Sequence, residues 1–187
     1  FTHPDPGHVE GWREVFKHLP PREIRVGQPD LDHGLFAELP MAPRPLRRGD
    51  RMDVAGWTLE VLWPPADLEE RSSDDRSLVL RFTDGFASVL VMGGASERVE
   101  EWLADTDPPF PARILLAGHH RSRPSGSKAF LHAVRPGAVV VSGLGFQGPT
   151  EARRITEARV IEAGVPLLRL PPATELRLDP GKGTWIP

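Results

Sequence analysis

The spacing of the hydrophobic residues changes partway along the chain, and this change limits the folds that the chain can adopt. Polar and apolar side chains alternate in the two runs on either side of Ala55-Gly56, and two continuous apolar runs at 77–82 and 87–92 flank Thr83-Asp84-Gly85. These runs predict two β-hairpins. Further along, strand-like runs at 112–116, 138–141 and 165–170 alternate with helical spacing at 127–134 and 150–163. Hairpins followed by strand–helix alternation predict an α/β domain with a mixed sheet.

The N-terminal part is less regular. Residues 9–19 have apolar side chains close to helical spacing, and Pro20-Pro21 ends this helix, while residues 23–26 predict a short strand. We expect a loop at 27–45, with one helical turn around 35–39, and a closing hairpin from 175–178 and 184–186. A chain of 187 residues can bury one core. We therefore predict a single domain over residues 1–187.

The composition excludes several classes of protein. The chain has no Cys, which rules out disulfides and thiolate metal sites. Its formal net charge of -3 does not predict nucleic-acid binding, so only a local basic patch could serve that purpose. All but three of its 23 basic residues are arginine, which suits phosphate contacts, although a GC-rich genome explains the same usage equally well. No apolar run approaches the roughly 18–20 residues of a membrane span.

The first eleven residues contain two imidazoles and a carboxylate close together. His3, Asp5 and His8 are separated by proline and glycine and stand just before the predicted helix. Such side chains can converge on one metal ion if the loop turns back on itself. The alternative is a polar turn in which His8 flanks a helix. Because the chain begins on Phe1 at this loop, we expect it to be the C-terminal part of a longer protein.

A second group follows the strand predicted at 112–116. His119 and His120 stand where α/β sheets place their ligands, at the carboxyl end of a strand. Basic and hydroxyl side chains follow them. The residues that we predict to contact DNA are Arg121, Ser122, Arg123, Ser125 and Lys128. In the alternative interpretation, His119 is a buried structural histidine and the arginines belong to a solvated loop.

A series of motifs connects these features in order. They are T-H-P-D-P-G-H at 2–8, R-R-G-D-R-M at 47–52, L-E-V-L-W-P-P at 59–65, S-L-V-L-R at 77–81, V-M-G-G at 91–94, G-H-H-R-S at 118–122 and V-R-P at 134–136. Together they resemble the metallo-β-lactamase-fold domain at the C-terminal end of ComEC, the DNA-uptake channel protein of natural transformation. The resemblance implies an αββα sandwich with mixed sheets, from which the N-terminal strands are missing here.

The resemblance also implies a metal site. In the family, the first loop supplies three His and one Asp, a T-G-D motif supplies another Asp, and the paired histidines supply a further His. These side chains bind one or two divalent ions, which activate water and stabilise phosphoryl charge. The implied activity is that of a nuclease acting on the DNA strand that is not imported.

This chain departs from that pattern at the ligand positions. Asp5 replaces a His, Gly7 and Gly94 replace the two aspartates, and Arg121 replaces a glycine beside the paired histidines. The side chains left for a weak, remnant metal site are His3, Asp5, His8, His119 and His120. We therefore predict a degenerate site with no catalytic residue and no metal cofactor. If an ion binds at all, we expect Zn²⁺ or Mn²⁺.

The predicted function is that of a degenerate nuclease domain that contacts single-stranded DNA or has a structural role in a DNA-uptake protein. The alternatives are an active metal-dependent nuclease and an unrelated small-molecule metallo-hydrolase. The expected partners are single-stranded DNA, the membrane channel of the same polypeptide and other competence proteins. The expected location is at the bacterial inner membrane, with the domain itself soluble.

Overall fold

The computed structural model describes residues 1–68, 72–106, 110–118, 123–141, 150–170, 177–179 and 184–186. Its helices are α1 (Pro6–Val9), α2 (Trp12–His18), α3 (Glu97–Thr106), α4 (Lys128–Val134) and α5 (Glu151–Glu162). Its strands are β1 (Arg25–Gly27), β2 (Arg44–Leu46), β3 (Arg51–Val54), β4 (Trp57–Trp63), β5 (Val79–Thr83), β6 (Ser88–Val91), β7 (Ile114–Leu116), β8 (Ala138–Val141), β9 (Leu167–Arg169), β10 (Arg177–Asp179) and β11 (Thr184–Ile186).

One seven-stranded sheet organises the fold, and its strands follow one another in chain order from β3 to β9. The pairs from β3 to β6 are antiparallel, whereas those from β6 to β9 are parallel. The tight turn at Ala55-Gly56 has φ angles of 52° and 86°, the left-handed geometry that closes a two-residue hairpin. Parallel neighbours need longer crossovers, and the helices α3, α4 and α5 lie in them. The predicted mixed α/β sheet is therefore confirmed.

The main core lies between one face of this sheet and the three later helices. Its helical members include Leu103 of α3, Phe130 of α4 and Val160 of α5, each 0% exposed. They pack on strand residues such as Val79 and Leu90. Helix α4 is capped by Ser127, whose hydroxyl accepts a hydrogen bond from the Phe130 N–H. Smaller apolar clusters cover parts of the opposite face of the sheet.

The N-terminal part differs from the prediction in two respects. The helix expected at 9–19 is present as α2, which begins later, after an N-cap at Gly11, and the separate short helix α1 precedes it. The segment expected to be a loop contains β2, which pairs in parallel with β1. Its helical turn is present as a short 3-10 helix at Gly34–Phe36, and a second one forms at Gln28–Asp30.

No helix in the described part of the chain is long and apolar enough to cross a bilayer. Apart from the large sheet, the described strands form two small two-stranded sheets, β1–β2 and β10–β11.

Candidate remnant metal site

The side chain of His3 is buried at the carboxyl end of β6. Only 3% of the residue is exposed, and its Nδ1 lies 3.2 Å from Ser77 Oγ and 3.1 Å from Thr2 Oγ1. The Ser77 hydroxyl oxygen also accepts a hydrogen bond of 2.8 Å from the Gly94 N–H. In addition, the carbonyl oxygen of Thr2 accepts a hydrogen bond from the Leu78 N–H. The histidine loop is thus attached to the start of β5 and to the turn after β6.

Position 94, where the family resemblance implies an aspartate, has no room for a side chain. A Cβ atom built on Gly94 would lie 2.8 Å from both Cε1 and Nε2 of His3. A Cβ atom essentially never approaches another atom this closely, so the imidazole would have to shift. The neighbouring Gly93 is restricted as well, since its φ is +56° and its Cβ would lie 2.4 Å from Ser77 Oγ. His3 therefore occupies the space that a ligand at position 94 would need.

His8 lies beside His3, at a distance of 4.2 Å between ring centroids. It stands in α1, where its backbone N–H donates to the Asp5 carbonyl oxygen over 2.9 Å. Partial burial of the ring lowers the pKa of His8, and the carboxylates of Asp5 and Asp74 oppose this shift. A lowered pKa keeps the imidazole neutral at neutral pH, the form that can act as a metal ligand.

The described residues alone do not complete a catalytic metal centre, and the predicted ligand Asp5 is exposed. Among them, no group of three or more His, Asp or Glu side chains is arranged to hold an ion. His3 and His8 are a pair of imidazoles, and Gly94 offers no side chain. A hydrolytic zinc site needs three protein ligands and an open position. The predicted ligands His119 and His120 lie outside the described residues, so their contribution stays a prediction.

The predicted DNA contacts are placed only in part. Arg121 and Ser122 lie outside the described residues, while Arg123 and Lys128 are exposed. Ser125 does not fit its predicted role, because it is 0% exposed. Its hydroxyl donates to the Gly118 carbonyl oxygen over 3.2 Å, and its N–H donates to Thr156. Ser125 fixes the loop and does not present a group to a ligand.

One buried glutamate near this loop was not predicted from the sequence. Glu100 of α3 is 1% exposed and accepts hydrogen bonds of 2.8 Å from the N–H groups of both Gly126 and Ser127. Burial raises the pKa of Glu100 to about 7, although these two hydrogen bonds oppose the shift. Its sequence signal is its position between Val99 and Leu103 on the apolar side of the helix.

Comparison with known proteins first defines the fold. The structure matches YhfI, a metallo-β-lactamase fold protein from Bacillus subtilis, with a TM-score of 0.55 over 90% of this chain and 72% of that one. Only 10% of the residues are identical, so the match concerns the fold alone. The chain thus has the predicted metallo-β-lactamase fold. No protein-family model matches it.

Sequence comparison then finds two competence proteins. The chain is 33% identical over 190 aligned residues to "Competence protein ComA" of Neisseria gonorrhoeae, and 26% identical over 154 to "ComE operon protein 3" of Bacillus subtilis. The alignments cover 97% and 75% of this chain, but only 25% and 19% of the relatives. The predicted resemblance to ComEC-type proteins is confirmed, since both are homologues. The chain spans about a quarter or less of their length.

Proposed function

We propose that the chain is the metallo-β-lactamase-fold part of a DNA-uptake protein of natural transformation, and that its hydrolytic site is degenerate. The homologues are named for competence, the state in which cells take up DNA. They are about four times as long as this chain, in keeping with a membrane channel elsewhere in the same polypeptide. In this proposal, the channel and other competence proteins are the partners of the domain, and the inner membrane is its location.

The observation that supports a degenerate site is the contact between His3 and Gly94. An acidic ligand at position 94 would require the His3 ring to leave its position, which Ser77 and Thr2 hold by hydrogen bonds. The histidine that in other members binds metal has here become part of the packing between two loops. This structural role explains why His3 is present even though, in this proposal, the chain does not hydrolyse DNA.

The same domain contacts single-stranded DNA in this proposal, through the basic residues after the paired histidines. Arg123 and Lys128 are exposed close to one another along the chain, and Arg121 adds a third positive charge. Arginine and lysine bind phosphate through charge-assisted hydrogen bonds, so the affinity would fall steeply with salt. The buried Ser125 and Glu100 hold the segment that carries these residues.

A nuclease assay tests this proposal. The full 187-residue chain is incubated with end-labelled single-stranded DNA and Mn²⁺, beside a His119→Ala variant. We expect no digestion above background for either protein. Digestion by the wild-type chain that disappears in His119→Ala would establish the alternative, an active metal-dependent nuclease. Digestion that persists in His119→Ala would indicate a contaminating enzyme, and further purification of both proteins would then remove it.

A further inference from the structure

A groove of about 750 Å³ opens at the other end of the large sheet. The remnant site lies where β6 and β7 end, whereas this groove lies where β6, β7 and β8 begin. Phe86 and Ser88 line it from the β5–β6 turn, Arg113 from the start of β7 and Arg135 from the segment before β8. Among the described residues, its lining includes none from the histidine loop and none from 123–128.

The floor of the groove continues the sheet face that carries the main core. Val79 of the core and Arg81 of the groove are two residues apart on β5, so both side chains point to the same face. Across the strands, Arg51 pairs with Glu60, and Glu60 with Arg81. Arg51 Nη2 lies 2.6 Å from one Glu60 carboxylate oxygen, and Arg81 Nη1 lies 3.8 Å from the other. One carboxylate is thus shared by two guanidinium groups.

Two further arginines complete the positive charge of the groove. Arg113 and Arg135 are exposed, and no ion pair links either of them to an acid within the described ranges. Arg135 caps α4 in the left-handed conformation, with φ of 48°, which fixes its backbone at the rim. The lining therefore contains four arginines and a single acid, Glu60. This concentration of charge contrasts with the formal net charge of -3 for the chain.

An exposed aromatic ring stands beside these cations. Phe86 is 85% exposed, the highest value among the large hydrophobic residues described. Its turn is held in place, because Asp84 Oδ1 accepts hydrogen bonds of 2.9 Å from the Phe86 N–H and 2.7 Å from the Ala87 N–H. Because the phenyl ring is in contact with solvent, it contributes little to the stability of the fold. It is well placed to contact a flat apolar surface on a ligand.

We propose that this groove binds a single-stranded nucleic acid, with phosphates on Arg113 and Arg135 and an unpaired base stacked on Phe86. A cationic groove that follows the backbone, together with an aromatic platform for bases, is the combination that single-strand binding requires. Duplex ends aside, only an unpaired base offers its face to a ring. That this strand is DNA rather than RNA rests on the proposed function. Binding in the groove does not depend on whether the metal site is intact.

Fluorescence anisotropy with a labelled single-stranded oligonucleotide tests the groove over a range of salt concentrations. For a single strand, each phosphate contact adds about 0.7 to the steepness of the plot of log affinity against log salt concentration. Removing one contact therefore lowers the steepness by that amount. We therefore expect the double variant Arg113→Ala/Arg135→Ala to have a slope smaller by about 1.4. We expect Phe86→Ala and Phe86→Leu to weaken binding roughly 5- to 150-fold, since both remove base stacking.

Matched variants separate the groove from the charge of the whole chain. Arg22→Ala/Arg44→Ala removes two exposed arginines elsewhere, and Arg123→Ala removes one from the segment that follows the paired histidines. Both should leave the Phe86 effect intact. Arg113→Lys/Arg135→Lys should keep most of the salt slope. Thermal unfolding of each variant verifies that the fold is retained.

Three results would overturn the proposal. The first is a wild-type chain that does not bind single-stranded DNA at low salt. The second is a groove variant whose affinity and slope match those of Arg22→Ala/Arg44→Ala. The third is duplex DNA binding as tightly as a single strand with no effect of Phe86→Ala, which would make the groove a surface for anions in general. None of these results depends on nuclease activity, so the groove can fail while the degenerate site stands.

Discussion

At the scale of single residues, His3 and position 94 share one small volume. The ring of His3 is held on one side by Ser77 and Thr2, and on the other it lies against the Cα of Gly94. Any side chain at 94 would therefore compete with the ring. Restoring a complete ligand set requires rearrangement of His3 as well as new acids, so Gly94→Asp by itself should not create a metal site.

A direct test of this packing is Gly94→Ala. Its Cβ would lie 2.8 Å from two ring atoms of His3, and overpacking of this kind costs about 1–3 kcal/mol in the free energy of unfolding. Gly11→Ala is the matched control, because a Cβ there meets nothing within 4 Å. Urea unfolding of both variants measures the difference. Equal stabilities would show that His3 does not fill the space beside Gly94.

Part of this arrangement can be predicted from the sequence, and the rest cannot. The V-M-G-G motif marks Gly94 as a position without a ligand, and the first loop marks His3 and His8. That the ring of His3 packs on Gly94 could not be predicted, because contact between residues this far apart in the chain depends on the tertiary fold. The same holds for Ser77, which bonds a histidine 74 positions away.

At the scale of secondary-structure elements, Glu100 joins α3 to the start of α4. Its two carboxylate oxygens accept the N–H groups of Gly126 and Ser127, which would otherwise be buried without a partner at the helix start. The carboxyl group loses its hydration in this position, and burial raises its pKa from 4.5 to about 7. The connection between the two helices is therefore sensitive to pH.

The sign of the effect follows from proton linkage. Between about pH 4.5 and 7 the folded chain retains a proton on Glu100 that the unfolded chain has lost. Glu100 thus makes its full contribution to the free energy of unfolding below pH 4.5, and this contribution declines as the pH rises through 7. At about 1.4 kcal/mol per unit of pKa shift, the decline amounts to roughly 3 kcal/mol.

We predict that Glu100→Gln flattens this pH dependence of the free energy of unfolding. The variant should also be less stable at low pH. The glutamine amide has one acceptor oxygen, whereas Glu100 accepts hydrogen bonds at both of its carboxyl oxygens. Urea unfolding from about pH 5 to pH 8 measures both effects, and Glu101→Gln, on the exposed side of α3, is the control. A variant with the same pH profile as wild type would exclude Glu100 as the titrating group.

Most elements could be predicted because their signals are local. The two hairpins follow alternation and Gly-containing turns, and α5 begins at Thr150 and ends before Gly164, which has φ of +70°. The errors lie where structure depends on distant residues. Strand β2 has only three residues, and its pairing with β1 crosses a long connection with no periodic pattern.

At the scale of the whole molecule, the sheet separates two regions of different chemistry. Where β6 and β7 end, the described residues pack the histidine loop around His3. Where β6, β7 and β8 begin, four arginines and Phe86 line an open groove. The sequence analysis assigned DNA contact to the first region, because the family motifs lie there. The groove was not foreseen, since its residues come from six separate strands or strand starts.

The occupancy of the remnant site by metal is the central question. The full 187-residue chain is incubated with Zn²⁺ or Mn²⁺, separated from unbound ion by gel filtration, and analysed by inductively coupled plasma mass spectrometry. Because Asp5 is exposed and Gly7 and Gly94 offer no side chains, we predict far less than one ion per chain, with no difference between wild type and His8→Ala. One or two ions per chain, lost in His8→Ala or His119→Ala, would contradict the degenerate site.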